Sequence, residues 1–201
     1  MCGIFGIVSK QPLDFPDLMG KMGASLSHRG PDDEGFYSDS QVMLGSRLLS
    51  IIDAAHGKQP MFSDDLSIII VQNGEIYNYV ELRQELINRG VRFRTGSDTE
   101  VILRLYEAEG VEFVKRLNGM FAIAIWDRNT RSMHLYRDRI GIKPLFYCDT
   151  EAGVCFASEI KALLALGVPV TPRVEAIHHY LSFNFVPPSM TMFDGIDNVP
   201  A

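Results

Sequence analysis

Met1-Cys2-Gly3-Ile4-Phe5-Gly6-Ile7-Val8-Ser9-Lys10 opens the chain, and its reading decides what the rest can be. An apolar start could be a secretory leader, but this one has no basic residues ahead of it. It is interrupted by Gly3 and Gly6 and stops at Ser9-Lys10, so it reads as a first β-strand. A cysteine at position 2 gains meaning if Met1 is trimmed, as a small second residue favours. Cys2 would then carry a nucleophilic thiol and a free α-amine on one residue. Their reference pKa values, about 8.5 and 7.7–8.0, are close enough for proton transfer near neutrality. Taken alone, a second-position cysteine is more often an incidental small strand residue.

Working outward, apolar runs bounded by Gly, Asp and Asn predict strands near 35–39, 42–50, 67–72, 120–127, 132–137, 144–148 and 153–157. Helical periodicity appears over 79–89 and 98–108, and a further helix fits 158–166. Ser97 and Glu100 have the spacing of a capping box, which places Asp98 in the first turn of its helix as an exposed carboxylate. Strands and helices do not alternate regularly, so the class is α+β, antiparallel sheets covered by helices. After residue 166, Gly167-Val168-Pro169, Pro172 and Pro187-Pro188 mark a change of composition. The expected division is a domain over 2–166, then a linker and the start of a truncated second domain over 167–201.

With 201 residues, 46% of them hydrophobic, the chain can bury a full core without disulfide or metal support. A net charge of −6 offers no basic excess for nucleic acid. Three cysteines, Cys2, Cys148 and Cys155, fit a reducing, cytoplasmic compartment better than a disulfide scaffold. No apolar run nears the ~20 residues of a membrane span. His28, His56, His134, His178 and His179 lack metal-ligand spacing, so no metal site is expected. Cys148 and Cys155 read as core. The charged cluster Arg137-Asp138-Arg139 with Lys143 is assigned no chemistry.

The segment Gln72-Asn73-Gly74-Glu75-Ile76-Tyr77-Asn78-Tyr79 follows an apolar strand. Asn73-Gly74 is a strong turn signal. The same pair also sets an amide side chain beside an unobstructed backbone N–H, two donors suited to an oxyanion. In order along the chain, MCGIFGI, SHRGPDDEG, LLSIID, NGEIYNY, TGSDTEVIL, LNGMFAIAIWD, RDRIGIKPLFY and FASEIKALL together resemble the class II glutamine amidotransferase domain of asparagine synthetases. The resemblance covers essentially residues 2–166, and Tyr180 through Ile196 is similar to the opening of the synthetase domain in that family.

This resemblance implies an N-terminal-nucleophile hydrolase fold, a four-layer αββα sandwich of two antiparallel sheets. It implies a glutaminase in which Cys2 attacks the side-chain amide of glutamine with its own α-amine as base. Asn73 and Gly74 would hold the oxyanion, and Asp98 and Glu75 would receive the glutamine α-amino group. Ammonia would pass to a C-terminal synthetase domain of the same protein, for which ATP and magnesium are implied; this domain needs no cofactor. One position departs from the pattern. The family places an arginine that clasps the glutamine α-carboxylate immediately before the Leu-Ser-Ile-Ile-Asp run, and here that residue is Leu48. Arg47 stands one place early and could substitute only through a bulge or a one-residue slip. A docking module that has lost productive glutamine binding is therefore the rival reading, and an acceptor other than aspartate is open. The oligomeric state is open too, a homodimer included.

Overall fold

The computed structural model describes residues 1–11, 15–49, 57–151 and 153–201. Two antiparallel sheets carry the fold. The first has six strands: β1 (Gly3–Ser9), β2 (Asp33–Ser38), β3 (Val42–Leu48), β8 (Phe146–Thr150), β9 (Gly153–Ala157) and β10 (Asp197–Asn198), in the order β10-β8-β9-β1-β3-β2. The second has β4 (Met61–Phe62), β5 (Ile68–Ile76), β6 (Gly119–Asp127) and β7 (Ser132–Arg137), in the order β4-β5-β6-β7. The helices are α1 (Phe15–Ser25), α2 (Tyr79–Asn88), α3 (Asp98–Glu109), α4 (Ile160–Leu164) and α5 (Val174–Phe183). Among the described residues none is long and apolar enough to cross a membrane.

Strand alternation sorts the side chains into three apolar interfaces, which is what four layers require. Phe5 and Ile7 of β1 pack with Met22 and Leu163 beneath α1 and α4. Ile4 of β1 and Leu44 of β3 meet Ile69 and Val71 of β5 between the sheets. Ile68, Ile70 and Ile76 of β5 pack against Val101 and Leu105 of α3 on the far side. The αββα sandwich implied by the resemblance is present.

Several boundaries differ from expectation. Strand 144–148 lies at 146–150, helix 158–166 shortens to 160–164, and strand 42–50 is paired to residue 48, with residue 50 outside the described residues. The apolar stripe of α1 went unread because Pro16, Gly20 and Gly23 argue against a helix. The helix forms because Met22 and Leu26 bury against the sheet with Phe5, while Gly23 is tolerated there, a Cβ at that position making ordinary 3.4 Å contact with Phe5 and Phe36. The capping box is half formed. Ser97 accepts from the Thr99 N–H at 3.1 Å, whereas Glu100 turns to the N–H groups of Arg94 and Thr95 at 2.9 and 2.7 Å. A preceding loop with bare donors competes successfully for that carboxylate. The stretch after 166 returns to the sandwich at its end, where β10 pairs with β8 and Ile196 is wholly buried.

The Arg137-Asp138-Arg139 cluster is architectural. Asp138, 1% exposed, accepts from the N–H groups of Ile142 and Lys143, and Arg137 donates to the carbonyls of Gly141, Lys143 and Val199. Cys148 and Cys155 are buried, unbridged neighbours across β8 and β9. His56 lies outside the described residues. Among those described, no three of His, Cys, Asp and Glu converge as a metal site.

Candidate active site

Cys2 precedes β1 on the alternation that turns Ile4 into the space between the sheets, so its side chain starts on that inner face. The segment is clamped from three directions. The Ile4 N–H donates to Ser158 Oγ at 2.9 Å, and the Ser158 N–H returns to the Ile4 carbonyl at 2.8 Å. Arg29 Nε donates to the Cys2 carbonyl at 2.8 Å while its Nη1 reaches Glu159 at 2.8 Å. Burial opposes charge on Glu159, but hydrogen bonds from Arg29, His28 and Lys161 hold its carboxyl down at about 2. Gly30 completes the clamp, because a Cβ there would lie 2.2 Å from the Arg47 carbonyl carbon. The SHRG and ASE runs thus serve to hold the chain's first residues. Cys2 Sγ accepts from the Leu49 N–H at 3.4 Å and lies 3.6 Å from the Leu49 carbonyl oxygen, contacts that orient the side chain.

Asn73-Gly74 does not form the expected turn. Both residues continue β5, opposite Ala122 and Phe121 of β6, and the strand runs on to Ile76. Gly74 is required for a different reason: a Cβ would stand 2.2 Å from the Met120 carbonyl oxygen. Here β6 supplies ladder partners for nine consecutive residues of β5, from Ile68 to Ile76, which outweighs the local preference for a turn.

The ladder also fixes where each donor points. The Gln72 N–H is taken by Gln59 Oε1 at 2.6 Å, and the Ile76 N–H by Asp98 Oδ2 at 3.0 Å, both on the edge of β5 away from β6. By the two-residue repeat, the Gly74 N–H points to the same edge, between two donors that are already engaged. Among the described residues no acceptor lies against it. Asn73 alternates with Ile69 and Val71 onto the inner face, the one Cys2 also uses. Asn73 is 1% exposed, and its Nδ2 has no hydrogen-bond partner among the described residues. A buried amide donor left unpaired costs ~1–3 kcal/mol, so its presence calls for a functional explanation. Glu75, half-buried, alternates onto the same face as Asn73.

Asp98 is not the exposed carboxylate expected of a first helical turn. It is 5% exposed, held by the Ile76 N–H and by Gln72 Nε2, both at 3.0 Å. Burial raises its pKa, against the pull of those hydrogen bonds. The helix packs its N-terminus onto the open edge of β5, and no property of α3 read alone announces that contact.

Arg47 does not reach the site. The β1–β3 register runs unbroken from Gly3↔Arg47 to Val8↔Val42, so neither bulge nor slip is present. Arg47 points to the α1 side, donating to the Gly23 carbonyl at 3.0 Å and pairing with Glu34 at 2.5 Å. Leu48, 6% exposed, turns to the inner face with Leu44. Arg29, Ser158, Glu159 and the Leu49 N–H were not foreseen as site residues. Their motifs were visible as a resemblance, but their role as a clamp depends on contacts 27 to 154 residues apart in sequence.

The whole chain, residues 1–201, matches the glutamine amidotransferase domain family. It is 43% identical over 196 residues to the glutamine-hydrolyzing asparagine synthetase 1 of Bacillus subtilis (strain 168), covering 96% of this chain and 31% of that protein. It is 48% identical over 170 residues to asparagine synthetase 2 of the same organism, covering 82% of this chain and 22% of the relative. Asparagine synthetase B of Escherichia coli (strain K12) is 39% identical over 178 residues, covering 87% and 31%. The chain thus spans about a third or less of these relatives' lengths. Among solved structures, the glutamine phosphoribosylpyrophosphate amidotransferase of B. subtilis, complexed with ADP and GMP, shares the fold at a TM-score of 0.70 and 23% identity, over 83% of this chain and 44% of that one. On its sequence and its four-layer architecture alike, this chain belongs to the glutamine amidotransferase domain family.

Proposed function

We propose that the chain, once it begins at Cys2, hydrolyses glutamine to glutamate and ammonia. The observation that carries this is the buried Asn73 Nδ2 on the face shared with Cys2, next to an edge N–H of Gly74, neither of which finds a hydrogen-bond partner among the described residues. The Cys2 α-amine takes the thiol proton, and the thiolate attacks the glutamine Cδ. Asn73 Nδ2 and the Gly74 N–H hold the resulting oxyanion. The protonated amine returns its proton to the departing ammonia, and water then cleaves the thioester to release glutamate and regenerate the thiol. Asp98 and Glu75 would receive the substrate's α-amine. Asp98 lies one two-residue step along the edge from Gly74, about 6.6 Å, a span comparable to the distance between the α-nitrogen and the amide oxygen of glutamine.

In the full-length protein the ammonia would pass to a downstream synthetase domain, as the names of the relatives suggest, and the unbridged cysteines support a cytoplasmic setting. ATP and magnesium would belong to that domain, and the glutaminase step draws on no cofactor. The test is glutamate release against glutamine concentration from protein whose mass shows a Cys2 start, with Cys2→Ala as blank. Turnover is expected, and it should vanish in the blank. No turnover at saturating glutamine would favour the docking-module reading instead.

Leu48 on the inner face bears on the same assay. A hydrogen bond to a charged group contributes ~1.5–3 kcal/mol, so the missing arginine should raise KM by roughly ten- to a hundred-fold with less effect on kcat. Leu48→Arg is expected to reverse that rise. An unchanged KM in a folded Leu48→Arg protein would show that this position does not face the substrate carboxylate.

A further inference from the structure

Gln72 is 1% exposed and stands in β5 immediately before Asn73, on the α3 side of the strand. A polar side chain there needs a reason, since Ile68, Ile70 and Ile76 fill the same face with hydrocarbon. Its hydrogen bonds form a closed circuit. Gln72 Nε2 donates to Asp98 Oδ2 at 3.0 Å, and its Oε1 accepts from Thr99 Oγ1 at 2.9 Å. Gln59 Nε2 donates to the same Thr99 oxygen at 3.3 Å, while Gln59 Oε1 accepts from the Gln72 backbone at 2.6 Å. Gln59 is tied down in turn, its carbonyl accepting from Ser46 Oγ at 3.1 Å.

The circuit has a direction. An amide side chain can present either its oxygen or its nitrogen to a neighbour, and only the nitrogen suits a carboxylate. The Thr99 hydroxyl, with one proton to give, accepts from Gln59 and spends that proton on Gln72 Oε1. This leaves Gln72 Nε2 facing Asp98. Gln59 and Asp98 also take the edge N–H groups on either side of Gly74, so the same residues that orient the carboxylate keep the Gly74 donor framed and single. A purely apolar residue at 72 would pack as well but would leave Asp98 held by backbone N–H groups alone, those of Ile76 and of its own helix start.

We propose that Gln72 is a positioning residue for Asp98: locked by Thr99 and Gln59, it aims the Asp98 carboxylate at the α-amine of bound glutamine. The inference rests on the glutaminase reading above and deepens it, assigning amine recognition to a polar circuit rather than to the aspartate alone.

The experiment uses the chain starting at Cys2 and compares wild type with Gln72→Leu, which keeps the bulk and removes the amide. KM for glutamine should rise about ten-fold or more, as for loss of one hydrogen bond to a charged group, with kcat within roughly three-fold. Two competitive inhibitors separate positioning from general damage. L-glutamate carries the α-amine and glutarate does not, so inhibition by glutamate should weaken with KM while inhibition by glutarate stays within about two-fold. Should Gln72→Leu fail to fold, Thr99→Val, which removes only the orienting hydroxyl, should give the same split at smaller size. Equal weakening of both inhibitors, a fall in kcat at constant KM, or no change in either constant would overturn the inference. A wild-type chain that releases no glutamate would overturn it together with the glutaminase reading, whereas an active wild type indifferent to both substitutions would overturn the inference alone.

Discussion

A chain that keeps any residue ahead of Cys2 should release glutamate about 10²–10⁴-fold more slowly than one that begins there, the range a general base contributes. In the unprocessed chain the Cys2 nitrogen is an amide and has no basic lone pair to take the thiol proton. Nothing else in the described site stands in for it. Sγ is near the Leu49 N–H and carbonyl, which can orient the thiol but cannot accept a proton and return it to ammonia. Losing Met1 should also cost little stability. Its side chain is 60% exposed, and the segment is held by contacts to the Cys2 carbonyl and the Ile4 backbone that remain after trimming. A chain carrying a cleavable extension before Cys2 makes the comparison direct: mass analysis establishes the start, and glutamate release is measured before and after cleavage. Equal rates would mean that another base serves the thiol.

Asn73→Ala should lower kcat by about 10²–10³, equivalent to ~2.7–4 kcal/mol of barrier for one oxyanion donor, and leave KM nearly unchanged. The companion expectation concerns stability. Removing a buried polar side chain ordinarily destabilises when its hydrogen bonds are lost, but Asn73 Nδ2 makes none among the described residues. Truncation relieves an unsatisfied donor, offsetting the small cavity it leaves, and the thermal midpoint should move by no more than a few degrees. A large fall in kcat with an intact midpoint is the signature of a group kept for the reaction. If kcat and midpoint fell together, Asn73 would be an ordinary structural residue and the oxyanion assignment would fail.

Periodicity located most of the strands because β1, β5 and β6 each bury one or both faces and therefore carry dense apolar runs. It failed at α1 because Gly20, Gly23 and Pro16 reduce helix propensity, and the burial of Met22 and Leu26 against Phe5 that offsets this is a tertiary fact. Asn73-Gly74 shows the limit of local signals most clearly. The pair would turn a free chain, yet a full ladder with β6 keeps it extended, and only that ladder points the Gly74 N–H to an open edge. Leu48 went the other way: strand alternation alone forecast that Arg47 would face away from the site, and the unbroken register places it there.

By itself, then, the sequence determined the composition of the proposed site, because chemistry requires particular atoms: a thiol at position 2, an amide beside a glycine at 73–74, a carboxylate at 98, and a leucine where the family resemblance implies an arginine. Only the tertiary structure decided what each of those atoms faces. Asp98 is buried because α3 seats its first turn on the edge of β5. Cys2 is held because Arg29, Ser158 and Glu159 converge on the first strand from distant segments. Gln72 becomes a positioning residue because the Gln59 loop and the first turn of α3 close a polar circuit around it. Such contacts depend on pairing across tens to more than a hundred residues, and a side chain's identity does not state its partner.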